Sequence, residues 1–149
     1  MSRYSITTDE QLCISCKACE VHCKVYNKVP LGLKLGVHVQ AGPQFDHGTV
    51  RMHTLYMPCC QCDDAPCLTA CPTGAMQKRA DGIVYIEESL CTGCRACWSA
   101  CPWRVPQFDA QRQKMRKCDL CRHRIDAGLK PACVTGCTMS ALQLMITDA

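Results

Sequence analysis

The segment CTGCRACWSACP, residues 91–102, sets Cys91, Cys94, Cys97 and Cys101 at C-x2-C-x2-C-x3-C spacing and closes on Pro102. In C-x2-C-x2-C the backbone wraps one centre and offers it three thiolates; the x3 step throws the fourth sulfur onto a helical turn that points away. The run therefore reads as three ligands of one metal centre and one ligand of a neighbour. Zinc sites are built differently, from two C-x2-C knuckles across a longer loop, with four thiolates converging on a single ion.

Three further runs repeat the theme. CISCKACEVHC carries Cys13, Cys16, Cys19 and Cys23; CCQCDDAPCLTACP carries Cys59, Cys62, Cys67 and Cys71; CDLCRHRIDAGLKPACVTGC carries Cys118, Cys121, Cys133 and Cys137. Sixteen of the seventeen cysteines fall into these groups, and Cys60 is left over. Four such runs in 149 residues point to four [4Fe-4S] clusters.

Composition agrees that something other than a side-chain core organises the chain. It is 48 % hydrophobic yet has only two Phe and two Trp. Disulfides fit poorly, because the cysteine number is odd, neighbours sit two or three residues apart, and MSRYSITTDE lacks a signal-peptide core. No apolar stretch approaches the length of a membrane span, and no twin-arginine leader is present. The expected compartment is the cytoplasm, or the periplasm if a signal-bearing partner exports the chain. The formal charge of +4 would hint at nucleic acid. Each cubane with four thiolates adds about −2, however, which brings the loaded protein to about −4 and argues against that partner.

The segments between the runs indicate how they pair. PTGAMQKRADGIVYIEESL joins the second run to the third, with an Asp81-Gly82 turn signal and alternation through Ile83 and Tyr85. A hairpin between two Cys runs is the plan of bacterial two-cluster ferredoxins, in which the last Cys of each run ligates the other cluster. The outer runs have their hairpin cut open, so that RYSITTDEQL and MSALQLMITDA must pair from opposite ends. The expected ligand sets are Cys13, Cys16, Cys19 and Cys137; Cys118, Cys121, Cys133 and Cys23; Cys59, Cys62, Cys67 and Cys101; and Cys91, Cys94, Cys97 and Cys71. The expected fold is α+β, loop-rich and organised around clusters, with two pseudo-symmetric ferredoxin-like modules. Residues 1–28 plus 117–149 make the outer module, 57–116 the inner one, and 29–56 a linker and partner-contact insertion.

CDDAPCLTACPTGAMQKRADGIVYI, CTGCRACWSACPW and KCDLCRHRIDAGLKPACV together resemble the four-cluster iron–sulfur subunit of the dimethyl sulfoxide reductase type, over almost the whole chain. That resemblance implies a linear relay through the clusters in the order given, the first facing a molybdenum- or tungsten-pterin catalytic subunit. Small subunits of tungsten aldehyde oxidoreductases are similar too. One departure is Thr138 after Cys137, where the family more usually has Pro, as after Cys71 and Cys101.

The remaining residues carry quieter expectations. Cys60 reads as a free, packed thiol. Pro72 and Pro102 end cluster-bearing turns and keep water from one side of a cube. Trp98 and Trp103 read as packing residues that also shield clusters; Lys17 and Lys117 as solvated lysines beside clusters; His22, His38, His47, His53 and His123 as surface or loop residues without ligand spacing.

Cubes whose irons are all tied to Cys offer no open iron to a substrate, and no residue is assigned a catalytic role. The function expected is single-electron relay within an oxidoreductase complex, with a flavin subunit, a ferredoxin or a further copy of the chain as the distal contact. The alternative is a free soluble polyferredoxin carrier. A radical or lyase enzyme lacks support, since C-x3-C-x2-C and a barrel-sized region are both absent.

Overall fold

In the computed structural model, which describes residues 2–148, the first and last strands meet: β1 (Ser2–Thr8) pairs antiparallel with β8 (Leu142–Asp148), from Ser2 opposite Asp148 to Thr8 opposite Leu142. The expected joining of the two ends is thus present, residue for residue along both strands. Between them lie α1 (Ala18–Tyr26), the long hairpin β2 (Val37–Asp46) and β3 (Thr49–Met57), and α2 (Pro66–Thr69). There follow the hairpin β4 (Met76–Lys78) and β5 (Val84–Ile86), then α3 (Ala96–Ala100). A second short hairpin, β6 (Gln107–Asp109) and β7 (Lys114–Arg116), precedes α4 (Arg122–Asp126) and α5 (Ala132–Thr135). The architecture is a small α+β fold of two-stranded ribbons and one- to two-turn helices.

Isolated ribbons and helices this short are marginal in water. Their apolar faces are covered in two clusters. One gathers Cys19, Cys23, Tyr56, Leu120, Cys133 and Leu142; the other gathers Cys67, Met76, Val84, Cys91, Cys97 and Met115. Ile83 and Val84, adjacent and both fully buried, belong to different clusters. Successive residues of an extended chain face opposite sides, so this one dipeptide packs into both cores and ties them together.

The Asp81-Gly82 signal is realised as expected. Gly82 adopts φ of +82°, the Asp81 carboxylate accepts the Ile83 N–H at 3.3 Å, and β4 and β5 pair from Met76 opposite Ile86. The 29–56 segment forms most of one ribbon with a register shift between Ala41 and Gln44. Only His38, Thr54 and Tyr56 are buried along its strands, whereas Phe45, Val50 and Met52 stand exposed.

Candidate metal centres

Short helices carry the thiols, and left-handed residues aim them. Lys17 and Arg95, with φ of 59° and 65°, cap α1 and α3, while Cys121 at 52° caps α4; Ser15, Gln61, Gly93 and Leu120 are left-handed too. Non-glycine residues visit this region rarely, and runs of it turn successive backbone N–H groups toward one point. Gly93 has a second reason to be glycine, because a Cβ there would lie 2.6 Å from the Gln113 carbonyl oxygen. The N–H groups reach sulfur: Met76 donates to Cys71, Met115 to Cys91 and Leu120 to Cys118, each at 3.4 Å.

The x3 step separates the last thiol of the first run from the three before it. Cys19 and Cys23 lie one turn apart on α1, yet they serve different neighbourhoods. Cys13, Cys16, Cys19 and Cys137 line one cavity, and the Thr138 hydroxyl is 3.6 Å from Cys16 Sγ. The Asn27 amide donates to both Cys23 Sγ at 3.6 Å and Cys121 Sγ at 3.7 Å, which fixes the last thiol of the first run beside the fourth run. Tyr56 is buried in the same cluster as Cys23 and Cys133, where its hydroxyl works against the burial-driven rise of both thiols, in space that Gly36 leaves open. Cys71 lines a cavity with Cys91, Cys94 and Cys97. Cys59 and Cys101 lie near Cys67 and Cys60, and the Gln61 amide donates to the Cys118 carbonyl at 3.2 Å, so the second and fourth runs touch.

Exposure differs from set to set. Cys23, Cys118, Cys121 and Cys133 are all buried, whereas Cys16 and Cys94 are exposed. Burial pushes the Cys133 thiol up to about 12 and those of Cys19 and Cys97 up to about 11, and it raises Cys118 as well. Cys16, hardly buried, is lowered by the Ala18 N–H and the Thr138 hydroxyl. Burial works upward on Cys71 too, but the Met76 N–H and the Thr73 hydroxyl outweigh it. Ligation requires thiolates, so metal charge must offset the burial of the inner thiols, and loading releases protons. Among the described residues no three His, Cys, Asp or Glu side chains close on a single metal ion. The thiols instead face one another across shared spaces and receive backbone N–H groups, a donor set that fits [4Fe-4S] clusters.

Comparison with known proteins bears on these sites directly. Residues 50–147 match the 4Fe-4S dicluster domain family. This protein belongs to that family. It is 38 % identical to the B subunit of the anaerobic dimethyl sulfoxide reductase of Haemophilus influenzae, over 99 % of this chain and 76 % of that one. It is likewise 38 % identical to "thiosulfate reductase electron transfer subunit PhsB" of Salmonella typhi, over 95 % of this chain and 75 % of the relative. "Protein NrfC" of Escherichia coli shares 41 % identity over 94 % of this chain and 64 % of its own. The resemblance drawn from the motifs is therefore correct: this is an iron–sulfur protein of the dimethyl sulfoxide reductase type, and its relatives are electron-transfer subunits of reductase complexes, not catalytic ones. Its sixteen grouped thiols and these relatives support four [4Fe-4S] clusters as its cofactors.

Several quieter expectations are corrected. His38 is buried, with Nε2 3.8 Å from Cys13 Sγ, because its β2 position faces α1, where its N–H donates to Glu20 at 2.6 Å. Lys117 is buried as well, its ammonium held by two carbonyls. Cys60 is exposed, since the C-x2-C register turns its neighbours inward and leaves it outside. Trp103 is 60 % exposed, and Trp98 stacks under Arg104 with its centroid 4.6 Å from the guanidinium carbon, so neither covers a thiol set fully. Pro72 and Pro102 are exposed. The Tyr56 and Asn27 contacts were missed, because a donor brought in from a distant strand or a helix end leaves no spacing signal.

Proposed function

We propose that the chain relays single electrons through four [4Fe-4S] clusters between a molybdenum- or tungsten-pterin catalytic subunit and a distal acceptor. The ligand sets are the four expected from sequence: Cys13, Cys16, Cys19 and Cys137; Cys23, Cys118, Cys121 and Cys133; Cys59, Cys62, Cys67 and Cys101; Cys71, Cys91, Cys94 and Cys97. The clusters supply one-electron redox chemistry; the chain spaces, insulates and tunes them. One observation carries the reading: each thiol set adjoins the next. The first and second share α1 through Cys19 and Cys23, the second and third meet at Cys118 and Cys59, and the third and fourth share α2 and α3. Exposed thiols at both ends, Cys16 and Cys94, with a fully buried second set, suit a path that enters at one end and leaves at the other.

In this reading residues 1–28 with 117–149 form the outer module and 57–116 the inner one, related by pseudo-symmetry. The 29–56 ribbon is the contact for the catalytic partner. Its exposed Phe45, Val50 and Met52 support that role, as does Glu20, which anchors it through Lys34 at 2.8 Å and the His38 N–H. The partner follows from the reductase relatives. Among the described residues no helix is long and apolar enough to cross a membrane.

Elemental analysis of the natively purified, oxygen-free complex tests the whole. About sixteen iron and sixteen sulfide per chain, as four cubanes require, with near-stoichiometric molybdenum or tungsten, is the expected result. The same iron with neither metal would replace the catalytic-partner assignment by a free polyferredoxin, and zinc in place of iron would sink the relay.

A further inference from the structure

A polar network is sealed at the seam between the two apolar cores. Gln61, inside the second Cys run, is 6 % exposed; its Oε1 accepts the Val84 N–H at 2.7 Å and its Nε2 donates to the Cys118 carbonyl at 3.2 Å. Lys117, 7 % exposed, bridges the same two residues: its ammonium donates to the Val84 carbonyl and, at 2.7 Å, to the Cys118 carbonyl. Two side chains from runs that serve the third and second thiol sets thus converge on one strand residue and one ligating Cys.

The two arms differ in charge. Gln61 satisfies its partners as a neutral amide; Lys117 does so with a full positive charge. A buried ammonium is costly unless negative charge faces it. Among the described residues no carboxylate forms an ion pair with Lys117. The acids nearest in the cavity beside it are engaged elsewhere: Glu88 by Arg112 at 3.1 Å, Asp119 by Arg122 at 3.5 Å, and Glu87 by the Ser89 hydroxyl at 3.0 Å. Carbonyl dipoles alone hold the ammonium: one belongs to Cys118 of the second set, the other to Val84, whose N–H is held by Gln61 between Cys59 and Cys62 of the third.

We infer that Lys117 sets the middle of the relay: its ammonium, lodged between the second and third thiol sets, raises the reduction potentials of the clusters bound there relative to the two outer ones. The inference rests on the relay reading. Reduction adds one negative charge to a cluster, and a fixed cation in a poorly screened interior stabilises the reduced form. The electron count is unchanged; what shifts is where an electron resides at a given poise. A positive site midway makes the inner pair the resting place, so that two electrons from a two-electron partner can be stored away from both exposed ends before onward transfer.

The test is an EPR-monitored potentiometric titration of the oxygen-free protein, with signals assigned by their change in Cys133→Ser and Cys62→Ser. Lys117→Gln keeps a hydrogen-bond donor and deletes the charge. It should lower the reduced-to-oxidised ratio of the middle two clusters at fixed poise at least about tenfold, or about 59 mV for a one-electron couple, while the outer two hold. Lys117→Arg keeps the charge and should leave all four near wild type. Unmoved potentials in Lys117→Gln with full iron would overturn the inference and leave the relay standing. Should that variant fail to hold iron, Gln61→Glu decides: a carboxylate beside the ammonium cancels its field in place, and the same two potentials should fall; if they stay put, the inference is wrong. Fewer than four clusters in the wild-type protein would instead overturn the relay reading itself.

Discussion

Two ribbons flank the thiol sets, and they are held in opposite ways. The β4–β5 ribbon has three residue pairs and a tight Asp81-Gly82 turn; the β1–β8 ribbon has seven pairs and joins the two ends of the described chain. Closing a loop of about 130 residues rather than about five costs about 3 kcal/mol more on a logarithmic scale. Four additional pairs in the longer ladder, at about 1 kcal/mol net per hydrogen bond, are enough to offset it. Length in one ribbon does what a turn does in the other. The price of that solution is concentration of the outer sites' integrity in a single late strand.

Deleting residues 142–149 should therefore have the largest effect, removing β8 and with it the frame around Cys137. Iron should fall to about eight of about sixteen per chain, the remainder spectroscopically on the inner sets. Equal loss from inner and outer sites would show that the two ribbons are not independent frames. Cys137→Ser should act more narrowly, altering the cluster of Cys13, Cys16 and Cys19 and sparing that of Cys118, Cys121 and Cys133. The reverse pattern in EPR would break the crossed assignment.

Ile83→Ala probes what joins the two halves. Its side chain is fully buried in the outer core although it is borne by the inner ribbon. The expected loss is about 2–5 kcal/mol, read as a lower anaerobic guanidinium midpoint, with iron released from both halves together. Tyr56→Phe should cost about 1 kcal/mol and lower the potential of the second-set cluster only, since it removes a buried hydroxyl dipole packed beside Cys23 and Cys133. Burial drives the Tyr56 phenol's pKa far upward, which keeps it a donor at any working pH. Glu20→Ala should be the mildest, speeding amide exchange at His38 and along β2 without loss of iron.

The sequence made the periodic features readable. The Asp81-Gly82 turn and the strand alternation of MSALQLMITDA are local, and each appears in the structure as expected. What escaped was set by distance. Lys117 looks solvated in MRKC, because nothing local shows that Val84, more than thirty residues away, supplies a carbonyl. His38 looks like a loop residue until β2 is laid against α1. Cys60 looked apolar enough to pack, yet the two thiols around it claim the interior. Cysteine grouping is written in spacing; what surrounds the thiols is written in contacts between segments.

The ladder between the first and last strands also bears on biogenesis. During synthesis Cys59 to Cys101 emerge and can close around their turn while the first run, already made, has no partner for its cavity. The cavity that Cys13, Cys16 and Cys19 share with Cys137 cannot close until residues 137–148 have left the ribosome and β8 can dock. With the proposed ligand sets, the clusters of the second and third runs are thus the ones available to be installed first, and the other two wait for β8.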